Sequence, residues 1–221
     1  MDVALLSKPA LVNASFDISR ELVTRTKHIL MKPPGDDFSR ARSPRLRNLR
    51  QWLNNPSLYA LAAAAYGMLI EHDIATAVHT LEVAELLTHF RQTPDIDPRL
   101  AALHYVAGML HDVGKIAIPQ ATLNSTQKLT RDEKAMFLDH PAIGALLIKQ
   151  TKKEIAKLTA TNQHDLPSLD FVAEAALFHH VDCNGKGYPC FVPPERMTPF
   201  HYALKLWDTI HAMRLRSAYR N

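Results

Sequence analysis

The sequence is poor in cysteine and glycine, and it has no long uninterrupted apolar run. Its 221 residues include only two cysteines, Cys183 and Cys190. Two cysteines cannot form a disulfide framework, so both are interpreted as reduced thiols. The richest apolar stretch, residues 58–70, is shorter than the roughly 18 to 20 residues needed to cross a bilayer. We therefore expect no membrane span.

At the start of the sequence, no cationic segment is followed by a long apolar one, so no export signal is expected. Hydrophobic residues make up 47% and charged residues 22% of the chain. This composition is typical of a folded globular protein and excludes wholesale disorder. We expect a folded domain located in the cytoplasm.

The net charge of +4 is concentrated near the N-terminus. Residues 1–60 contain ten Lys and Arg against five Asp and Glu, a net of +5, which leaves the remaining residues at −1. Five of these cations are Arg40, Arg42, Arg45, Arg47 and Arg50. Such a run could bind phosphate, an acidic protein or an anionic membrane surface, or it could be a solvated connector. Because no aromatic residues alternate with the arginines, nucleic acid is not expected as a partner.

Ala- and Leu-rich stretches and only seven glycines predict an all-α fold. The first helix is predicted to begin at Ser15 or Asp17, both of which can cap a helix, and to end at Met31. Residues 1–56 are predicted to form an N-terminal extension with this helix and an Arg-rich linker, and residues 57–221 to form the main domain. The domain is expected to contain about seven helices, at 58–72, 75–90, 97–110, 131–140, 141–158, 169–180 and 199–216.

Histidines and aspartates recur at the ends of these predicted helices. A single histidine on an apolar face is usually a hydrogen-bonded core residue, but several at consecutive helix ends favour a metal site inside a bundle. Imidazole and carboxylate ligands without thiolate suit iron or manganese, and zinc or another divalent ion remains open. The candidate residues are His79, His111, Asp112, His140, His179, His180 and Asp208.

Five short motifs resemble those of the HD-GYP family of metal-dependent phosphohydrolases. In chain order they are HDVGK at 111–115, IAIP at 116–119, HPAIG at 140–144, the pair His179-His180, and GYP at 187–189. Characterised members of that family hydrolyse the bacterial second messenger cyclic di-GMP. The resemblance covers residues 57–220 and implies an HD-domain helical bundle.

The resemblance also implies roles for particular residues. The seven histidines and aspartates named above become ligands of two divalent ions, with Asp112 bridging both. Asp112 and Lys115 become the catalytic residues, with Lys115 near the scissile phosphate. Substrate binding is implied for Lys115 and for Gly187, Tyr188, Pro189, Arg216 and Arg220. In the family, the GYP loop is also linked to contacts with diguanylate cyclase domains.

Some positions depart from the family pattern. Val181 replaces a glutamate after the two histidines, and His211 replaces an aspartate three residues after Asp208. Ala75 stands where some members have an acidic ligand for a third metal, one helical turn before His79. We therefore predict a binuclear centre, with His180 as a ligand or as a hydrogen-bonding neighbour. The alternative is that Asp73 or Glu82 replaces the missing carboxylate.

The leading hypothesis is a phosphodiesterase that hydrolyses cyclic di-GMP to the linear dinucleotide and onward to GMP. One alternative is an HD-type phosphohydrolase for another nucleotide or phosphoester, because phosphate-contacting positions are altered. The other is a catalytically weak module that senses a nucleotide or docks a partner.

Overall fold

The computed structural model describes residues 9–31, 48–89, 97–158, 166–189 and 192–218. The arginines between positions 40 and 47, together with Cys190 and Arg220, lie outside these ranges. Within them the chain is helical and has no strand, apart from one isolated antiparallel bridge between Val181 and Gly187. The prediction of an all-α fold is confirmed.

The described residues form nine α-helices and two short 3-10 helices. The α-helices are α1 (Pro9–Met31), α2 (Leu49–Leu53), α3 (Pro56–His72), α4 (Ile74–His89), α5 (Pro98–Leu110), α6 (Gln120–Leu123), α7 (Arg131–Leu158), α8 (Leu166–Phe178) and α9 (Pro199–Ala218), and the 3-10 helices are Val113–Ala117 and Pro194–Arg196. None of the helices described is both long enough and apolar enough to cross a membrane.

Helix α1 begins earlier than predicted. Ser15 and Asp17 lie inside α1, so the prediction that one of them caps the helix is wrong. Ser15 is buried, so it packs inside the protein as a helix residue and does not cap the helix. Contacts along α1 with other helices include the ion pairs of Arg25 with Glu71 on α3 and of Lys27 with Glu154 on α7.

Helix α7 is continuous, whereas the sequence predicted two helices that meet between residues 140 and 141. Pro141 lies inside it. Proline removes one backbone donor and was therefore expected to end the helix. The helix continues because its apolar side, including Ile143, Leu147 and Ile148, is buried in the core. Tertiary packing thus outweighs the local cost of the proline.

The larger of two hydrophobic clusters contains buried residues of every described α-helix except α6. Leu22 of α1 and Leu49 of α2 are fully buried and belong to the same cluster as Leu61, Val106 and Leu147. Burial of each such side chain contributes about 1.5 to 3 kcal/mol before the entropy of ordering is counted. The predicted division at residue 57 stays a prediction.

Close packing places the turn after α5 against α7. A Cβ atom on Gly114 would collide with the backbone oxygen of His140. Only glycine permits this approach. The contact brings Asp112, two residues before Gly114, next to His140, and this proximity defines the centre of the site.

Candidate metal centre

The candidate ligands come from five places in the chain and meet in one buried pocket. His79 lies on α4, His111 and Asp112 follow α5, and His140 lies on α7. His179 and His180 directly follow α8, and Asp208 lies on α9. All are buried except His180, which is partly exposed.

Asp112 stands between two groups of histidines. Its Oδ1 atom lies 3.0 Å from Nε2 of His140 and 3.5 Å from Nε2 of His179. Its Oδ2 atom lies 3.4 Å from Nε2 of His111 and 3.6 Å from Nε2 of His79. The two oxygens of one carboxylate therefore face different sets of nitrogen atoms.

Asp208 completes the second group. Its Oδ1 atom lies 3.0 Å from Nε2 of His79 and 3.8 Å from Nε2 of His111, and its Oδ2 atom lies 3.8 Å from Nδ1 of His180. Two sets of four residues result, and within each set the potential ligand atoms all lie within 4.8 Å of one another. They are Asp112, His140, His179 and His180, and His79, His111, Asp112 and Asp208.

Backbone carbonyls orient three of the histidines. Nδ1 of His111 donates to the carbonyl of Gly108 at 2.7 Å, and Nδ1 of His179 donates to that of Ala176 at 2.8 Å. Both carbonyls lie in the last turn of a helix, where intrahelical donors run out. Because a carbonyl can only accept, Nδ1 carries the proton in a neutral ring and Nε2 keeps a free lone pair. This is the arrangement that metal-binding histidines usually show.

His140 is oriented in the same way from inside a helix. Its Nδ1 donates to the carbonyl of Phe137 at 2.5 Å. In a regular helix that carbonyl would accept from the backbone N–H of residue 141, and Pro141 has none. The proline thus frees the acceptor that the histidine ring uses.

The polar atoms of the pocket fit a bound cation. In this pocket, Nε2 of His111 and Oδ1 of Asp112 are buried without a hydrogen-bond partner among the described residues. Leaving such an atom unsatisfied costs about 1 to 3 kcal/mol. The two atoms face different ligand sets, so one divalent ion in each set would satisfy both. Imidazole and carboxylate donors suit iron, manganese or zinc, so these clusters could hold metal ions.

The electrostatics of Asp112 and His111 are coupled. Burial opposes ionisation of Asp112, but the charges of Lys115 and His111 outweigh it and hold the pKa of this carboxyl well below its usual range. Burial likewise opposes charge on His111, yet Asp112, aided by Asp208, raises the pKa of His111 to about 10. A proton on His111 therefore occupies the place of a cation, and a metal would displace it.

The pKa values of three other histidines of the site favour the neutral form. Burial is the main cause that lowers the pKa of His179 to about 4. Burial, with the neighbouring His179 and His140, places the pKa of His180 well below its usual range. Burial also lowers the pKa of His79, although Asp208 opposes this. Neutral rings are what metal ligation requires.

Lys115 lies at the rim of the pocket in the first 3-10 helix. Its Nζ atom is 2.5 Å from Oδ2 of Asp112, and its side chain keeps 21% exposure. The ammonium group therefore touches both the shared carboxylate and solvent.

The GYP loop, which begins after His180 and contains the motif at 187–189, folds back beside His180. Gly187 has φ of 105°, and a Cβ there would collide with the carbonyl oxygen of His180. The Tyr188 ring stacks on His180 with centroids 4.5 Å apart. Lys205 of α9 donates to the carbonyl of His180 at 3.1 Å and pairs with Asp182 at 2.7 Å. These contacts fasten the loop to α9.

The structure describes the other residues predicted to bind substrate only in part. Pro189 is half-buried beside Tyr188. Arg216 lies on α9 in a stretch whose side chains are outside the description, and Arg220 lies outside the described residues altogether. Their role in binding substrate stays a prediction, as do the ligand roles of the histidines and aspartates.

Asp73 and Glu82, the two carboxylates that could replace the missing ligand, contact other groups. Oδ2 of Asp73 accepts from the backbone N–H and the hydroxyl of Thr76 at 2.8 and 2.6 Å, which caps the start of α4. Glu82 contacts Nε2 of His211. Neither carboxylate belongs to the two ligand sets.

Sequence analysis did not identify the groups that orient the ligands. The carbonyls of Gly108, Phe137 and Ala176 have no side-chain signature. The HP dipeptide at His140 was a usable signal, because a proline directly after a helical histidine frees the carbonyl three residues before that histidine. His211 was noted only as a departure from the family pattern.

Comparison with known proteins defines the class. Residues 76–213 match the HD domain family. This span covers more than half of the chain, and the chain belongs to the HD domain family. The resemblance to HD-GYP proteins inferred from the motifs is confirmed. No solved structure matches the chain.

Several bacterial proteins are similar in sequence. A cyclic di-GMP phosphodiesterase of Vibrio cholerae serotype O1 is 30% identical over 158 residues, which cover 71% of this chain and 30% of that protein. A cyclic di-GMP phosphodiesterase of Thermotoga maritima is 28% identical over 155 residues, 70% of this chain and 39% of that protein. The cyclic di-GMP phosphodiesterase PA4108 of Pseudomonas aeruginosa is 28% identical over 126 residues, which cover 57% of this chain and 27% of that protein. The matches thus span less than half of each relative.

Proposed function

We propose that the chain is a metal-dependent phosphodiesterase that hydrolyses cyclic di-GMP to the linear dinucleotide, with GMP as the product of a second cleavage. The observation that carries this proposal is the position of Asp112, whose two carboxylate oxygens face two separate ligand sets. A carboxylate in that position suits a bridging role between two ions. The names of the similar proteins support cyclic di-GMP as the substrate.

The proposed centre holds two divalent ions, with iron or manganese favoured. One set is formed by His140, His179 and His180 with Asp112, and the other by His79, His111 and Asp208 with Asp112. Bound there, two divalent ions would activate a water molecule at neutral pH and offset the negative charge of a phosphodiester.

The residues around the ligands bind and orient the substrate in this proposal. Lys115 presents its ammonium group at the rim, where it can stabilise the charge that develops on the phosphate. Tyr188, stacked on His180, forms an aromatic wall beside the pocket. Arg216 and Arg220 would add phosphate contacts from the C-terminal end of the chain.

We also propose that the chain acts in the cytoplasm and contacts a diguanylate cyclase domain through the GYP loop. Lys186 and Gly187 of this loop are exposed. A partner could therefore reach the loop without displacing the buried ligands.

The test is turnover of cyclic di-GMP by protein loaded anaerobically with iron and, separately, with manganese. Products are separated by chromatography, and the expected result is the linear dinucleotide followed by GMP. A generic bis-aryl phosphodiester is run in parallel. Turnover of that ester without turnover of cyclic di-GMP would indicate that the substrate is another phosphoester. Cyclic di-GMP that binds without turnover of either compound would instead indicate a sensing module.

A further inference from the structure

His79 differs from the other oriented histidines because it lies in the interior of α4. There the carbonyls one turn back already accept from the helix backbone. The next residue is Thr80, so no carbonyl is freed in the way that Pro141 frees that of Phe137. A fixed orientation of the His79 ring therefore requires an acceptor from another helix.

His211 of α9 lies where such an acceptor is needed. The Nδ1 atoms of His79 and His211 are 2.7 Å apart. The other nitrogen of His211, Nε2, contacts Oε2 of Glu82 on α4. His211 is buried, whereas the Glu82 side chain is 55% exposed. The three side chains form one continuous chain from the surface of the protein to the pocket.

The order of protons along this chain follows from the chemistry of each partner. This order rests on the proposed function, in which Nε2 of His79 binds a metal ion. A ring bound through Nε2 keeps its proton on Nδ1, so Nδ1 of His79 must donate. The acceptor is Nδ1 of His211, which places the proton of His211 on Nε2. That proton faces the carboxylate of Glu82, which can accept it.

We propose that His211 and Glu82 are positioning residues that fix the orientation and tautomer of His79 for metal binding. They do for His79 what backbone carbonyls do for His111, His140 and His179. The HD-GYP pattern has an aspartate at position 211, and a carboxylate there could accept directly from Nδ1 of His79. A histidine can accept in its place only when its second nitrogen holds the proton, and Glu82 favours that form.

The first test measures zinc affinity by competition with a chelating dye. H211A is expected to bind zinc about 10- to 100-fold more weakly, the usual cost of losing an outer partner of a metal ligand. H211D restores a direct acceptor and is expected to recover most of this loss. E82A is expected to weaken binding in the same direction but by less. Because Glu82 is exposed, E82A tests the proposal even if H211A fails to fold.

Two controls separate positioning from general destabilisation. H201A removes another buried histidine from the same helix α9, and E71A removes an exposed glutamate that pairs with Arg25. Both should bind zinc as the wild-type chain does. If H211A binds zinc as tightly as these controls, or if H211D binds as weakly as H211A, the proposal is wrong.

The second test locates the proton directly. In zinc-loaded protein labelled with 15N-histidine, NMR should show His211 as the tautomer protonated on Nε2. Protonation on Nδ1 would overturn the proposal. Manganese affinity is compared in the same way. Failure of the wild-type chain to bind either zinc or manganese would contradict the proposed function and this inference with it, whereas unchanged binding by H211A and E82A would contradict the inference alone.

Discussion

The backbone carbonyl of Phe137 accepts a hydrogen bond from Nδ1 of His140 at 2.5 Å. The bond forms inside a continuous helix, at the one carbonyl that Pro141 leaves without its backbone donor. The proline therefore helps to orient the His140 ring, because it leaves the Phe137 carbonyl free to accept from Nδ1. Nε2 of His140 consequently points to Oδ1 of Asp112, 3.0 Å away.

Restoring the backbone donor should weaken this arrangement. In P141A, the new N–H competes with the His140 ring for the Phe137 carbonyl. We expect zinc affinity to fall by up to about 10-fold. The free energy of unfolding should not fall, because proline costs about 3 kcal/mol relative to alanine in a helix interior. Chelator competition and urea titration measure the two quantities, and P98A at the first residue of α5 is the control. Wild-type affinity in P141A would show that the ring does not depend on this carbonyl.

Replacement of Asp112 should abolish turnover and reduce metal loading. D112N keeps the size of the side chain but removes the negative charge that faces both ligand sets. We expect at most one bound ion, no detectable turnover, and helical content by circular dichroism close to that of the wild-type chain. D170N, which breaks only the surface pair with Lys152, is the matched control. Full turnover of D112N at saturating metal would contradict the bridging role.

Lys115 should affect turnover more than metal content. Its proposed partner is the phosphate, and its positive charge does not attract a cation. K115A is expected to lower kcat by about 10²- to 10³-fold, which corresponds to about 2.7 to 4 kcal/mol in transition-state stabilisation. Metal analysis should find nearly normal loading. K152A, which removes the surface lysine paired with Asp170, should change neither quantity. A parallel fall in metal and rate would make Lys115 a structural residue.

The fold could be predicted from the sequence where the signal is local. Ala- and Leu-rich runs predicted the helices, and short motifs identified the residues at their ends. The start of α1 and the continuity of α7 could not be predicted, because packing of their apolar faces overrides the rules for caps and prolines. Helix rules describe an isolated segment, whereas the buried side of α7 is stabilised by its neighbours.

The site was predictable to a similar extent. His111-Asp112 and His179-His180 stand out as adjacent pairs in the sequence. The contact between His79 and His211 joins residues 132 positions apart, and the contact between His211 and Glu82 spans 129 positions. No periodicity within a single helix indicates a pairing of that kind. It depends on how α9 packs against α4.

His201 should make the stability of the fold depend on pH. It is buried, Thr198 donates its backbone N–H to Nδ1, and burial lowers the pKa of His201 from 6.5 to about 4. Between these values the unfolded chain binds one more proton than the folded chain, so stability is present near neutral pH and falls as the pH decreases. The slope expected from this residue is about 1.4 kcal/mol per pH unit, or about 3 kcal/mol over the window.

The measurement compares the wild-type chain with H201Q by urea denaturation between pH 7 and pH 4. The variant keeps a polar acceptor but does not titrate. Its stability should fall less steeply than that of the wild-type chain. Equal slopes would mean that His201 does not contribute to the pH dependence.

The number of bound ions should saturate at two per chain. A third ion would need a further carboxylate near His79, and Ala75, one turn before it, has no ligand atom. Asp73 already caps α4 through Thr76. Glu82 is held by His211 at the outer side of the pocket. Val181, the residue after the two histidines, is apolar and buried.

Metal analysis of fully loaded protein and anomalous scattering from loaded crystals measure this number. D73N is the control, because a residue that caps a helix should not change the count. Three well-occupied ions within bridging distance of Asp112 would contradict the prediction. That result would require Glu82 to leave His211 and turn inward, because the Asp73 carboxylate is held by Thr76 at the start of α4. The loss of the His211 contact would then appear together with the third ion.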